Sequence, residues 1–407
     1  MKILVLNAGS SSQKSRLYEI ADTGALPELA PAPLWQADAD WTHHRGTTGL
    51  KISTVSGATL EENLDTDVRS EVIEYMLKTL WSGKTRVLSQ ASDVDIVGHR
   101  VVHGGNEFEK STLITPEVKT AISYMAVLAP LHNPANLEGI EVVERILPAV
   151  PQVAVFDTAF HRHMPLPAVV YPGPYEWYEQ EIHRYGFHGI SHQYCSRRTA
   201  QILGKDLESL RLISCHLGNG CSLAAVHQAH SIETTMGFTP LEGLMMGSRS
   251  GSIDPGIMLY LLQQKKVTVE QLDETLNKSS GLKGISGSGD MRQILRDIKE
   301  GKPRAKLAFD MFVHRLRYYI GAMLATLGGL DALVFTGGIG ENAAEVRAAA
   351  CESFAFIGLK LDALKNDQSP ADQDVSAVDS SIPVLIIHTQ EDWAIARECW
   401  EIAYASS

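Results

Sequence analysis

A polar turn near the start of the chain has the residue types of an anion site. The apolar run Lys2 to Leu6 has the length of a buried strand, and it ends in Asn7, Gly9 and three serines, with Lys14 just beyond. Such a turn offers backbone N–H groups, hydroxyls and one ammonium to a phosphate. It is not a P-loop, because Ser15 to Ile20 is typical of a second strand rather than a helix. A serine-rich surface turn explains these residues equally well.

Two arginines stand among small residues. Arg100 lies where a strand meets Gly104 and Gly105, and Arg249 lies in the loop Gly247 to Pro255, which leads into a helix. A guanidinium in either place can bind a phosphate or a carboxylate bidentately. For Arg100 alone a surface ion pair is the simpler interpretation. The density of glycine and serine around Arg249 favours a function, since small residues permit close approach.

Asp157 and His188 are candidates for chemistry at the reacting group. Asp157 ends an apolar strand, where carboxylates contact ligands in open α/β sheets, although a turn cap is an equal alternative. His188 is suited to donating a hydrogen bond to a transferring oxyanion. With His192 it has the i, i+4 spacing of a zinc pair, but the adjacent Glu of that motif is missing and Gly189 weakens a helix there. We therefore expect a structural role for His192.

Three glycine-rich turns in the second half predict a nucleotide pocket. They are His216 to Gly220, Ser286 to Arg292 and Gly337 to Asn342. The last follows a buried strand and opens a helix, although its spacing is not that of a dinucleotide fingerprint. Glu391 and Asp392 begin the last predicted helix, where they are either favourable N-terminal charges or oxygen ligands for Mg²⁺.

The order of predicted elements indicates an α/β protein with an internal duplication. Each half opens with strand, Gly/Asn turn and strand, so two hairpin turns facing each other across a cleft would hold a triphosphate. The polar segment 364–380 is predicted to be a surface loop. The other predicted elements are strands near 33–39, 50–55, 93–102, 153–156, 210–217, 221–226, 230–235, 333–335 and 383–387, and helices at 63–81, after 115, from 133, at 255–266, 268–278, 290–299 and 304–327, from 342, and at 391–405.

Composition narrows the class of protein. The 407 residues are enough for two domains, and a net charge of −12 without a Lys/Arg run argues against nucleic acid or an anionic membrane as partner. Five scattered cysteines fit reduced thiols in a cytoplasmic protein. We expect no signal peptide, since residues 3–6 are too short for one, and no apolar stretch reaches membrane-spanning length.

These motifs together resemble the acetate kinase family of the acetate and sugar kinase, heat-shock ATPase and actin superfamily. The resemblance implies two duplicated ribonuclease-H-like (actin-like ATPase) domains with a nucleotide cleft between them, at 1–156, with the helix 393–407 packing on it, and at 157–392. It runs from the first strand to the last helix. The motifs that carry it are Asn7 to Ser12 with Lys14, His99 to Gly105, Phe156 to His161, Tyr185 to Gly189, His216 to Gly220, Met236 to Pro255, Gly337 to Asn342, and Thr389 with Glu391.

The resemblance implies reversible, Mg²⁺-dependent transfer of a phosphoryl group from ATP to acetate, in a cytoplasmic homodimer, with Mn²⁺ as an alternative metal. It assigns catalysis to Arg100, Asp157, His188 and Arg249. The substrate residues are Arg100, Val102, Leu131, His132, Phe187 and Pro240. The metal residues are Asn7 and Glu391. The ATP residues are Ser10, Ser12, Lys14, His216, Leu217, Gly218, Asn219, Gly220, Asp290, Met291, Arg292, Gly338, Ile339, Gly340, Glu341 and Asn342.

Two features leave the substrate open. Ser248 and Ser252 stand where the family usually has Thr and Asp, and the loss of a carboxylate beside Arg249 is expected to alter how that arginine is oriented. Propionate kinase shares these motifs, and one methylene in an apolar pocket discriminates by only about 1–3 kcal/mol. A non-catalytic actin-like scaffold is a further alternative, but it would not need Arg100, Asp157 and Arg249 together.

Overall fold

The computed structural model describes residues 1–9, 12–21, 26–41, 46–127, 132–369 and 371–405. Ser10 and Leu131, two of the predicted binding residues, lie outside these ranges. The chain divides into two compact units, Met1–Ala159 with Gln390–Ser407, and Phe160–Thr389. The sequence-based domain limits lie near these divisions, and the cleft between domains stays a prediction. No helix in the described ranges has the length and apolarity needed to cross a membrane.

The described residues form the following strands and helices. The strands are β1 (Lys2–Ala8), β2 (Ser12–Glu19), β3 (Trp35–Asp40), β4 (Thr48–Thr54), β5 (Thr59–Leu64), β6 (Ile96–Val101), β7 (Thr112–Leu113), β8 (Gln152–Phe156), β9 (Arg211–Leu217), β10 (Cys221–His227), β11 (His230–Thr234), β12 (Ala332–Thr336), β13 (Gln373–Asp374) and β14 (Val384–Ile386). The helices are α1 (Arg69–Lys78), α2 (Pro116–Tyr124), α3 (Asn133–Ile146), α4 (Leu166–Val169), α5 (Glu176–Glu179), α6 (Gly189–Leu203), α7 (Pro255–Gln264), α8 (Val269–Lys278), α9 (Gly281–Ser286), α10 (Met291–Lys299), α11 (Pro303–Leu327), α12 (Gly337–Asn342), α13 (Ala344–Glu352), α14 (Ala363–Gln368) and α15 (Glu391–Ala405).

The described part of the first unit contains one sheet in the order β5-β4-β3-β2-β1-β6-β8-β7. β1 and β2 form the predicted hairpin, in which Asn7 is opposite Lys14. β1, β6 and β8 are parallel, so their carboxyl ends bring Asn7, Arg100 and Asp157 to one edge of the sheet. The last helix, α15, packs against β1 and β6. At Gly98 a Cβ would lie 2.5 Å from Cys399 Sγ, so the glycine permits this close packing.

The second unit repeats the hairpin arrangement. Its described strands form a sheet in the order β11-β10-β9-β12-β14-β13, with β9 and β10 antiparallel and β12 and β14 parallel to β9. A Gly-Asn-Gly turn joins β9 to β10, as the polar turn joins β1 to β2. The glycine cluster Gly337 to Gly340 begins α12 at the carboxyl end of β12, where a ligand site is expected in an α/β sheet.

Three predictions about elements are wrong. The predicted helix 63–81 is only the helix Arg69–Lys78, because Asn63 and Leu64 instead end an edge strand paired with β4. The segment 364–380 is not only a loop: it contains most of α14 and all of β13, and Val375 is buried. The doubtful helix at Gly189 is α6, since a glycine in its first turn costs less than one in its interior.

Candidate active site

A buried ion pair lies at the sheet edge of the first unit. Arg100 Nη2 donates to Asp157 Oδ2 over 2.6 Å, and Asp157 is 1% exposed. The main-chain N–H of Asp157 donates to the Val101 carbonyl, which places the carboxylate directly after β8. From the sequence alone, Asp157 could equally be a turn cap, and Arg100 could be part of an ion pair at the surface. The structure instead joins the two residues to each other.

Burial lowers the pKa of Arg100, but Asp157 above all, with Glu391 and Asp392, raises it, and the net pKa lies above the usual value. The guanidinium is therefore a permanent cation. Its Nε is buried and has no hydrogen-bond partner among the described residues. Leaving a buried N–H without an acceptor costs free energy, so binding of a ligand that accepts this hydrogen bond would be favourable.

A second group of oxygen atoms adjoins this pair, at the start of α15. Asn7 Nδ2 donates to Asp392 Oδ1 over 2.7 Å and to Glu391 Oε2 over 3.4 Å. Arg16 Nε lies 3.5 Å from Asp392 Oδ2. Burial raises the pKa of Asp392, while Arg16, Asn7 and Lys14 oppose that rise. Lys14 is exposed, and it is opposite Asn7 in the hairpin.

The predicted substrate residues are divided between the units. Val102 is buried in the first unit, where its N–H donates to Asn136 Oδ1, and His132 precedes α3. Phe187 and Pro240 belong to the second unit, where Phe187 is 1% exposed. The apolar substrate pocket that these residues were assigned to form stays a prediction.

In the second unit, His188 is oriented by a chain of neutral side chains. It has a left-handed backbone (φ 58°) just before α6, and its Nδ1 lies 2.8 Å from Ser222 Oγ. The same hydroxyl lies 2.8 Å from His192 Nε2, and His192 Nδ1 lies 2.9 Å from Ser214 Oγ. Burial lowers the pKa of His192 well below 6.5, so this histidine is neutral. His192 thus has the structural role predicted for it.

His188 is also stacked on a second predicted ligand residue. The rings of His188 and His216 are 4.3 Å apart, and His216 Nδ1 lies 2.8 Å from Ser191 Oγ. The turn after β9 passes close by, since a Cβ on Gly220 would lie 3.3 Å from His188 Nε2 and 3.6 Å from Arg249 Nη1. Gly220 therefore brings the backbone against both groups that were predicted to stabilise charge.

Arg249 is held by a backbone carbonyl. Its Nη1 donates to the Pro240 carbonyl over 3.0 Å. Ser252, expected to affect this arginine, instead accepts from the Gly243 N–H (3.0 Å) and from the Tyr319 hydroxyl (2.9 Å). Ser248 donates to the Asn277 carbonyl over 3.0 Å. The two serines thus shape the loop that carries Arg249.

A cavity of about 760 Å³ lies in the second unit at the three glycine-rich turns. This volume suits a mononucleotide-sized ligand. Its lining consists of Gly218, Asn219, Gly289, Asp290, Met291, Arg292, Leu295, Gly338, Ile339, Asn342 and Ala343. In the described residues, the other predicted ATP residues of this unit are outside that lining, namely His216, Leu217, Gly220, Gly340 and Glu341.

Glu341 lies behind the cavity wall. Its Oε1 accepts from the Gly337 N–H (2.9 Å) and the Thr389 N–H (3.3 Å), and its Oε2 lies 2.6 Å from His388 Nδ1. Burial raises the pKa of Glu341, but the His388 contact and these N–H groups outweigh burial and lower it. Glu341 therefore connects α12 to the chain just after β14.

Sequence reasoning missed several members of these groups. The residue pattern offers both Glu391 and Asp392 as metal ligands, but the resemblance assigns Glu391 alone, although Asp392 makes the shorter contact with Asn7. Ser222 carried no signal, because a serine in an apolar strand is unremarkable until the fold places two histidines beside it. Gly289, Leu295 and Ala343 adjoin predicted motifs, and only the folded turns show that they face the cavity.

Comparison with known proteins gives one family. A family model described as the acetokinase family matches residues 2–397. Acetate kinases of Nostoc punctiforme and Gloeobacter violaceus are 60% and 61% identical over 403 residues, and the matches cover 98–99% of this chain and 99% of each relative.

Solved structures agree with this result. The acetate kinase of Porphyromonas gingivalis is 39% identical with a TM-score of 0.89, and the match covers 99% of both chains. A propionate kinase from Francisella tularensis is also 39% identical, with a TM-score of 0.88, covering 98% of this chain and 99% of that one.

These similarities confirm the predicted α/β fold of two actin-like domains and define an ATP-dependent phosphotransferase. Within that class, the chain belongs to the acetokinase family.

Proposed function

We propose that the chain transfers the γ-phosphoryl group of ATP to acetate, reversibly and by in-line displacement, giving acetyl phosphate and ADP. The full-length relatives named acetate kinase support this proposal. The observation that carries it is the buried pair of Arg100 and Asp157, in which the guanidinium Nε has no acceptor within the described part of the chain. A single carboxylate oxygen of a small acid fits that donor.

Arg100 would bind the acid and Asp157 would orient Arg100. Acetate is ionised at neutral pH, so its oxygen needs no general base before it attacks phosphorus. Asp157 already accepts a short hydrogen bond from Arg100. It is therefore suited to fixing the guanidinium of Arg100, rather than to removing a proton.

The donor set beside this pair fits Mg²⁺. Carboxylate and amide oxygens are the ligands that Mg²⁺ prefers, and Mg²⁺ is commonly bound by one or two carboxylates together with water and substrate phosphates. In the described residues no group of three or more His, Cys, Asp or Glu side chains is arranged to hold a metal. Glu391, Asn7 and Asp392 would hold the ion with the nucleotide, and the ion would neutralise phosphate charge.

His188 and Arg249 would stabilise the charge that spreads over the equatorial oxygens of the transferring group. Ser222 orients His188 through Nδ1, and the Pro240 carbonyl orients Arg249. Both side chains thus have fixed positions beside the Gly-Asn-Gly turn before a ligand binds, as electrostatic catalysis requires.

The cavity at the three glycine-rich turns would bind the nucleotide. Gly218, Gly289 and Gly338 let the backbone approach a ligand closely, and Asp290 and Asn342 provide polar atoms in the lining. In the first unit, Ser12 and Lys14 remain proposed phosphate contacts.

The test is ADP formation with ATP and acetate, propionate or butyrate, in Mg²⁺, in Mn²⁺ and with a chelator. We expect acid-dependent ADP release that needs the metal and is fastest with acetate. Absence of acid-dependent ADP release would exclude a kinase. Faster turnover of propionate would favour the alternative supported by the similarity to a propionate kinase, without changing the reaction class.

A homodimer in the cytoplasm is also part of the proposal. Helix α7 is rich in apolar residues, yet none of its residues is buried in the single chain, and Ile257, Leu259 and Tyr260 are about half exposed. An exposed apolar surface of this kind indicates a partner, here a second copy. Light scattering on the purified chain should give twice its 44.5 kDa mass.

The cysteines support the proposed cytoplasmic location. All five are free and buried, which suits a reducing compartment.

A further inference from the structure

Arg347 is a fully buried cation behind the wall of the nucleotide cavity. Its Nη1 donates to the carbonyls of Gly340 (2.8 Å) and Glu341 (2.9 Å). Its Nε donates to Asn366 Oδ1 (2.8 Å), and its Nη2 donates to the Asn366 carbonyl (2.7 Å) and to Ser369 Oγ (2.8 Å). All these acceptors are neutral, and the carboxylates of Glu345 and Asp367 act on the guanidinium without a hydrogen bond in this network.

This arrangement is costly for the fold. Burying a cation without a carboxylate contact is unfavourable, and an apolar side chain would fill the same volume at lower cost. Burial lowers the pKa of Arg347 to about 10, so the group is still charged at neutral pH. Only arginine offers a planar set of five hydrogen-bond donors. Arg347 donates to α12 on one side and to the segment 366–369 on the other. This position therefore requires the geometry of the guanidinium.

The two α12 carbonyls explain the requirement. α12 ends at Asn342, the backbone at Ala343 is not helical (φ −102°, ψ 86°), and α13 begins at the next residue. Carbonyls in the last turn of a helix lack partners within that helix. Arg347 supplies those partners for Gly340 and Glu341 from the far side of the break. On the other side of the same turn, Asn342 and Ala343 line the cavity.

We infer that Arg347 is a positioning residue for the nucleotide: it holds the last turn of α12 and the break at Ala343 in the geometry that forms the cavity wall. Asn366 on α14 anchors the guanidinium from behind and also donates to the Ala344 carbonyl over 3.0 Å. The inference rests on the proposed binding of nucleotide in this cavity. It adds that the segment around α14, which contributes no residue to the described lining, controls nucleotide affinity.

The test compares Arg347→Met and Asn366→Ala with the unaltered protein. The readouts are Kd for ADP by calorimetry, KM for ATP, KM for acetate, and kcat. Arg347→Met removes hydrogen bonds from a charged donor, so we expect Kd for ADP and KM for ATP to rise about tenfold or more. Asn366→Ala should shift both in the same direction by less. KM for acetate should stay unchanged in both variants.

Arg317→Met is the matched control. Arg317 also donates to a helix carbonyl, that of Ala349 through Nε over 2.9 Å, but this carbonyl lies in the last turn of α13 and not in α12. This control should leave the nucleotide constants unchanged. Thermal melting checks that each variant is folded, and if Arg347→Met does not fold, Asn366→Ala carries the test.

The outcomes separate this inference from the proposed function. Unchanged Kd for ADP in the folded variants would overturn the inference, and so would an equal rise in both KM values, which would indicate a general structural defect. If the unaltered protein forms no ADP with any acid, the proposed function fails. The Kd for ADP measured by calorimetry still tests whether Arg347 shapes the cavity wall.

Discussion

The two units hold their candidate functional side chains by different means. In the first unit, ion pairs hold these side chains: Arg100 pairs with Asp157, and Arg16 pairs with Asp392. Asn7 also donates a hydrogen bond to Asp392. In the second unit, neutral groups fix the cations and histidines: Ser222 holds His188, and the Pro240 carbonyl holds Arg249. A charged cluster tolerates the loss of a member poorly, because a buried partner charge is left behind. A neutral hydrogen-bonded chain loses less when one hydroxyl is removed.

The largest effect is therefore expected at the buried ion pair. Asp157→Asn leaves Arg100 without its charge partner, and breaking such a pair costs about 3–5 kcal/mol. We expect acetate-dependent turnover to fall by at least about 10². The measurement is kcat with saturating acetate and ATP. Asp331→Asn, at the more exposed pair with Arg211, is the control and should remain active. Near-normal turnover of Asp157→Asn would show that Asp157 does not have the proposed role in the active site.

A large effect on stability is expected from His99, a buried histidine of the first unit. Burial lowers its pKa to about 4 although Gln152 accepts or donates a hydrogen bond at 2.7 Å. The unfolded chain therefore binds the proton more readily. The stability that neutral His99 contributes is present above pH 6.5 and is lost as pH falls toward 4. The loss approaches about 3 kcal/mol.

His99→Gln should make the free energy of unfolding less sensitive to acid, as measured by urea titrations between pH 7 and pH 4.5. The exposed His314→Gln is the control. Identical pH dependence in the two variants would show that His99 is not the source of acid sensitivity.

An intermediate effect is expected in the neutral chain. Ser222→Ala removes the hydroxyl shared by His188 and His192, so His188 loses the contact that fixes its ring. We expect kcat to fall about tenfold, with KM for ATP unchanged, as for one lost hydrogen bond. Ser231→Ala removes an equivalent hydroxyl from His161 alone and should leave kcat unchanged. A loss at Ser222 as large as at Asp157 would contradict the contrast between the units.

The smallest effect is expected at Arg292, which lines the cavity but is 83% exposed and paired with Asp290. Solvent screens an exposed ion pair, so this pair contributes little. Arg292→Ala should therefore raise KM for ATP by no more than about fivefold. Arg296→Ala, on the same helix and outside the lining, is the control. A rise well above tenfold would mean that Arg292 contacts the phosphates directly.

The sequence predicted the hairpins and the glycine turns because these features are local. Asn7 and Lys14 are opposite each other within one hairpin, and strand periodicity is enough to pair them. Asp392 could not be distinguished from Glu391, because only the packing of α15 on β1 decides which carboxylate reaches Asn7. The α14 segment escaped prediction because Arg347 and the cap at Asp362 order it, rather than apolar periodicity.

The packing of α15 at Gly98 has a consequence for synthesis of the chain. During synthesis the strands of the first unit are made before the second unit, whereas its helix α15 is made after the second unit. The whole second unit, Phe160–Thr389, is made in between and is a compact body on its own contacts. Domains generally fold as units during synthesis. The contact of Asn7 with Asp392 joins residues 385 positions apart, so the first unit cannot be completed before the second unit has been made.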